Sequence, residues 1–222
     1  MRLLLFGATG MIGQGALREA LLDPAVSEVL CVGRSASGRS HPKLRELVHR
    51  NFTDFSAVEG QLVGYDACLY CLGVSSGGMR ADEYERITYG YTLAVAETLA
   101  RIAPGMTFVY VSGAGTDASE RGRTRWARVK GKTENALLLL PFRAAYMFRP
   151  GLIIPLHGIV SRTPAYRILY GLLTPLHPVL AHLAPGHVLT TESLGRAMLV
   201  AAEHGAPKRV LAAPDINRLA RR

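Results

Sequence analysis

The sequence predicts an α/β fold, a doubly wound parallel sheet, and three observations predict it. Strand-like and helix-like runs alternate throughout residues 1–150. The strand runs are short and apolar, and most of them end at glycine or proline. A glycine-rich turn sits in the first strand–helix junction, within the first 15 residues.

The elements follow in order. Leu3 to Phe6 is a buried strand ending at Gly7. Met11 to Leu22 has helical spacing, with Ile12, Ala16, Leu17, Ala20 and Leu21 on one side, and Asp23-Pro24 ends it. Glu28 to Val32 is a second strand closed by Gly33, and Leu47 to Asn51 a third. Tyr65 to Leu72 is a fourth and leads into a glycine-serine turn. Tyr84 to Ile102 is a long helix stopped by Pro104-Gly105. Met106 to Val111 is a fifth strand, Arg125 to Leu140 a helix stopped by Pro141, and Arg143 to Phe148 a sixth strand. The 222 residues read as one domain, with 151–222 as a small, helical, substrate-side extension on it.

Composition narrows the class. Hydrophobic content of 49% with 19% charged residues excludes a disordered chain. The net charge of +9 is uneven: residues 1–111 hold 10 Lys/Arg against 11 Asp/Glu, and residues 112–222 hold 16 against 6. The excess includes Arg121, Arg123, Arg125, Arg128, Lys130 and Lys132, which read as a solvated loop or as a rim for an anionic partner. Only Trp126 interrupts that run, so it lacks the aromatic interleaving of a nucleic-acid surface, and nucleic acid is not the expected partner.

Three cysteines, two of them in apolar runs, argue against a secreted disulfide framework. Cys68-x-x-Cys71 lies in a strand run, not at a helix start, and reads as structural. No signal peptide is evident, and the expected location is cytoplasmic. Ile168 to Thr191 carries no Asp, Glu, Lys or Arg, but Pro175, Pro178 and Pro185 break it, so no transmembrane span is expected. A substrate lid, a homodimer face and a peripheral membrane contact all suit it. His177, His182 and His187 are five apart, off the spacing of helical metal ligands, and no metal site is expected. Ser112 lies in Val-Ser-Gly-Ala-Gly, which is not a nucleophile elbow.

The chemistry-bearing turn is Gly7-Ala-Thr-Gly10-Met-Ile-Gly13. Gly7 permits a tight turn, Gly10 lets backbone approach a pyrophosphate, and Gly13 allows close helix–strand contact. The following helix N-terminus offers free N–H groups to phosphate. At the end of the second strand stand Arg34 and Ser35, where an NAD-selective site has an acidic residue. A guanidinium fork there suits a 2′-phosphate, so NADP is favoured and NAD kept as the alternative.

These motifs, with Asp54, Val111-Ser112, Val129-Lys130-Gly131, Arg149-Pro150-Gly151, Gly186-His187-Val188 and the Val210–Ile216 run, resemble the atypical short-chain dehydrogenase/reductases. The likeness is to the epimerase-related NAD(P)-binding proteins of the Tat-interacting type, and it runs through nearly the whole chain. It implies a Rossmann fold and oxidoreductase chemistry on a small molecule. It implies that Thr9, Met11 and Ile12 line the pyrophosphate turn, that Asp54 sits by the adenine, and that Cys71, Leu72 and Gly73 flank the adenosine ribose. It implies that Ser112 hydrogen-bonds a substrate carbonyl, that Lys130 holds the nicotinamide ribose, and that Arg149-Pro150-Gly151 begins the loop over nicotinamide.

The chain departs from that pattern at one place. The family's catalytic tyrosine, four residues before the lysine, is Trp126. A phenol can give and recover a proton, whereas an indole N–H only donates a hydrogen bond. Trp126 is therefore expected to shape the site and not to transfer a proton. Three accounts stay open: a proton from Tyr89, Tyr91 or Tyr146; an enone or quinone substrate that asks less of a donor; or dinucleotide binding without turnover, as a regulator. A sugar-nucleotide epimerase is a poorer reading, because that chemistry leans on the missing tyrosine.

Overall fold

A computed structural model describes residues 1–160 and 186–222. The charge-free segment's residues up to Pro185, with His177 and His182, lie outside the described residues. Seven strands form one parallel sheet in the order β3-β2-β1-β4-β5-β6-β9. They are β1 (Arg2–Phe6), β2 (Glu28–Gly33), β3 (Leu44–Val48), β4 (Ala67–Tyr70), β5 (Thr107–Val111), β6 (Ala144–Arg149) and β9 (Val210–Ala212). A separate parallel pair joins β7 (Leu152–Ile154) to β8 (Val188–Thr190).

Strand alternation divides the core. Leu3 and Leu5 of β1 point to one face of the sheet, Leu4 and Phe6 to the other. The first face is covered by α1 (Met11–Leu22), α6 (Thr191–His204) and α7 (Ala213–Leu219). Ala16, Leu17 and Ala20 of α1 meet Leu194, Ala197 and Met198 of α6 in that layer. The second face is covered by α2 (Glu59–Leu62), α4 (Tyr91–Ile102) and α5 (Arg125–Leu139), with Val95, Leu99 and Leu137 in its core. Burial on both faces is why the central strands β1, β4 and β5 are apolar after their first residues. Thr190 caps α6: its Oγ1 accepts from Ser193 N at 2.9 Å, and its N–H donates to Ser193 Oγ at 2.9 Å.

Two expected elements shift. β3 lies at Leu44–Val48, three residues earlier than Leu47 to Asn51. It is an edge strand with mostly exposed residues, so its apolar pattern is too thin to fix its ends. The expected long helix begins three residues early, as α3 (Ala81–Glu85), and passes through a π turn at Arg86–Gly90 into α4. The strand order reverses between β1 and its two neighbours β2 and β4. This opens a crevice at the strands' carboxyl ends, the place where such sheets bind ligands.

Candidate active site

A cavity of about 660 Å³ fills that crevice. Its floor is the β1–α1 turn, Gly7 to Ile12. Gly7 has φ +82°, and a Cβ there would lie 2.6 Å from Leu72 N, so only glycine suits this turn. A Cβ on Gly13 would lie 2.1 Å from Gly7 O, so α1 starts hard against the turn. At Gly10 a Cβ would meet only Gly7 O, at 3.4 Å, and otherwise open cavity. This is a cradle for a ligand that comes close to backbone, and the turn fits a pyrophosphate.

One end of the cavity is lined by Val32, Arg34, Ser35, Leu47 and Phe52, the middle by Cys71, Leu72 and Gly73. Glu46, which the sequence reading missed, lines the first end too, and its Oε1 accepts from Ser37 N at 2.6 Å. The other end holds Ser112, Lys130 and Ile153. The structure thus brings together Gly7, Thr9, Gly10, Met11, Ile12, Arg34, Ser35, Cys71, Leu72, Gly73, Ser112 and Lys130. Burial pushes the Cys71 thiol well above its usual range and the Cys31 thiol up to about 12, so both serve as apolar lining.

Lys130 reaches in from the first half of α5. Its Nζ is 3.2 Å from Ser112 O and 3.4 Å from Val111 O, and lies 5.4 Å from the centre of the Tyr110 ring. Burial lowers its ammonium to about 8, against an opposing effect of the Glu134 carboxylate. Ser112 directly follows β5, and its N–H donates to Phe148 O at 2.7 Å. Thr116, another residue the sequence did not flag, sits behind it. Thr116 Oγ1 donates its one proton to Gly113 O at 2.8 Å. With that proton so engaged, Ser112 Oγ, 2.9 Å from Thr116 Oγ1, can donate to Thr116 or turn its proton to the cavity.

Other expected residues stand outside the cavity lining. Asp54 is exposed, and its Oδ1 accepts from Ser56 N at 2.9 Å, which holds its carboxyl below the usual range. Phe52, two residues earlier, lines the cavity instead. Arg149 is spent on Glu134: its Nε donates at 3.0 and 3.1 Å and its Nη2 at 2.5 Å. That pair is needed because the Glu134 side chain is only 1% exposed. Pro150 O accepts from Ala114 N at 2.8 Å, bracing the turn after Ser112, and Gly151 is exposed. Ile153, not this triplet, reaches the cavity. Trp126 lies across that turn, where a methyl on Gly115 would be 3.5 Å from its Cη2. With Lys130, four of the six basic side chains of that run are engaged: Arg125 binds Met79 O, Arg128 binds Gly122 O and Arg123 O, and Lys132 pairs with Glu85 at 2.7 Å.

The glycine turn and the crevice are the sites that a family comparison addresses. The profile of the NAD dependent epimerase/dehydratase family matches residues 3–125, more than half of the chain. The chain belongs to that family. It is 28% identical over 152 residues to the mitochondrial protein FMP52-2 of Scheffersomyces stipitis, covering 68% of this chain and 65% of that one. It is 28% identical over 153 residues to rat HTATIP2, covering 68% and 62%. The match thus spans less than two thirds of the length of these relatives. Among solved structures, Bordetella bronchiseptica WbmF in complex with NAD⁺ aligns with TM-score 0.67 at 17% identity, over 99% of this chain and 76% of that one. A short chain dehydrogenase/reductase of Saccharomyces cerevisiae aligns with TM-score 0.66 at 16% identity, over 99% and 98%. The fold is the NAD(P)-binding Rossmann fold. The cytoplasmic expectation is overturned, because the fungal relatives are named mitochondrial proteins.

Proposed function

We propose that this family member binds NADPH and reduces a small carbonyl, enone or quinone compound. One observation carries the reading. A single cavity joins a glycine cradle, a terminal Arg34 and, at its far end, Ser112 with Lys130. The cradle and the α1 N-terminus would hold the pyrophosphate, and Arg34 with Ser35 the 2′-phosphate. Lys130 would face the nicotinamide ribose. When bound, the dinucleotide supplies hydride; the chain supplies orientation and electrostatics. Ile153, Val111 and Ile87 give the cavity an apolar lining that suits an uncharged ring substrate.

A second reading has its own observation. Trp126 replaces the phenol and lies outside the cavity lining, which suits a protein that binds NADPH without turnover, as a regulator. Fluorescence titration tests the shared step: NADPH binds more tightly than NADH, and Arg34→Glu weakens NADPH by about tenfold or more with little effect on NADH. Equal losses for both would remove the NADP assignment. A panel of quinones, enones and carbonyls, with NADPH consumption as readout, then separates enzyme from regulator.

A further inference from the structure

We propose that Lys130 is the proton donor of this site, acting directly on the substrate oxygen in place of the absent phenol. The inference rests on the dinucleotide reading above and goes beyond it, since that reading asks Lys130 only to hold a ribose.

Elimination among the described residues leads here. Tyr146 lies in the core, and its Oη accepts from Ala206 N at 3.1 Å. Tyr89 sits under the Lys132 ammonium, 4.3 Å from ring centre to Nζ, and does not line the cavity. Tyr91 lines it, but at the Phe52 end, with ring centres 5.9 Å apart. The Trp126 indole N–H donates a hydrogen bond but is far too weak an acid to give up its proton. Ser112 carries an aliphatic hydroxyl, which hydrogen-bonds but is too weak an acid to replace the phenol. At the Ser112 end, the Lys130 ammonium is the donor that remains.

Its geometry suits the task. Two of its three N–H groups reach the carbonyls of Val111 and Ser112, and the third is left for the cavity. The groups facing it are the Tyr110 ring of β5 and Glu134, one turn along α5. Glu134 is itself neutralised by Arg149 of β6. With that carboxylate engaged, desolvation prevails, and the ammonium gives up its proton more readily than an exposed lysine does.

The reaction balances. The carbonyl carbon gains hydride from the reduced nicotinamide dinucleotide and forms a C–H bond. The C=O π pair moves onto oxygen, which takes one proton from Lys130. The products are an alcohol, the oxidised dinucleotide and a neutral amine, which recovers its proton from water.

The test uses the full chain, NADPH and 4-nitrobenzaldehyde, a plain carbonyl, as probe. Acetic anhydride labelling across pH, read by mass spectrometry at Lys130, gives the amine's midpoint without any turnover. The expected midpoint is near 8. Aldehyde reduction by the native protein then falls as pH rises through that value, because the ammonium is the active form. Lys130→Arg keeps a cation but holds its proton; at saturating NADPH it reduces the aldehyde about 100-fold more slowly, while its NADPH affinity reads the separate ribose role. A Lys130 midpoint at the ordinary lysine value overturns the proposal. So does a Lys130→Arg protein of native rate at saturating NADPH, or a native protein that binds NADPH and leaves the aldehyde unreduced. A native protein that binds no NADPH fails the dinucleotide reading itself, and the proposal with it. The labelling midpoint is read independently of both.

Discussion

Gly10 and Gly13 make opposite demands, and substituting each with alanine separates fold from binding. At Gly13 the new methyl would stand 2.1 Å from Gly7 O, 2.7 Å from Gly7 C and 2.9 Å from Ala8 Cα, all backbone atoms that cannot swing aside. Such overpacking costs about 1–3 kcal/mol, against about 1 kcal/mol regained from alanine's helix preference. The net loss is up to about 2 kcal/mol, which for a chain of this size lowers Tm by up to about 8 °C. At Gly10 the backbone has φ −80° and ψ 163°, a conformation open to alanine, and the methyl meets one atom at ordinary contact distance. Gly10→Ala therefore changes stability by no more than about 0.5 kcal/mol, since the lost N-cap glycine is offset by a stiffer unfolded chain. Its methyl projects into the cavity where a phosphate must approach backbone N–H groups. NADPH affinity drops by about tenfold or more, or 1.4 kcal/mol. Thermal unfolding and fluorescence titration on both variants measure the two effects. A stable Gly10→Ala protein with native NADPH affinity would refute the cradle.

Two further outcomes follow from the charged groups. Arg149→Met strands the buried Glu134 carboxylate and costs about 3–5 kcal/mol in urea unfolding, while the folded fraction keeps its NADPH affinity; a large loss of affinity would return Arg149 to the site. Tyr65→Phe removes the phenol that donates to Glu28 Oε1 at 2.6 Å and, with Arg2, holds that carboxyl below its usual range. Glu28 stabilises the native state above its unfolded pKa, and this is lost as pH falls through the lower folded value. The variant is therefore about 1 kcal/mol less stable at pH 7, with the gap closing below about pH 4 in urea unfolding.

The sequence carried the sheet because its central strands are buried on both faces, and it carried the β1–α1 turn because three glycines have a shared mechanical reason. It did not carry what depends on contacts between distant residues. β3 has one covered side, so its ends blurred. Strands β7 to β9 have three residues each, too few for a period. Arg149 looks like a loop residue until Glu134, fifteen positions earlier on α5, is seen to need it. Thr116 gave a local signal, a hydroxyl four residues past Ser112 in a glycine turn. Its effect on the serine proton needed the Gly113 carbonyl to be placed as well. Glu46 gave none, because an exposed carboxylate on an edge strand is ordinary.

Glu46 nonetheless bears on the coenzyme. It lines the same end of the cavity as Arg34, and the Ser37 N–H holds its Oε1 in place at 2.6 Å. A 2′-phosphate at that end gains from the guanidinium and is opposed by the carboxylate, whereas a bare ribose hydroxyl can donate to the carboxylate. The Arg34 effect should then be partly masked in the native chain. Glu46→Gln keeps the shape and removes the opposing charge. It strengthens NADPH binding by about three- to tenfold at low salt and leaves NADH equal or weaker, and the gain shrinks as salt rises. Titrating both coenzymes at two ionic strengths measures this. If Glu46→Gln strengthened NADH as much as NADPH, the carboxylate would face neither the phosphate nor the ribose, and the preference would rest on Arg34 alone.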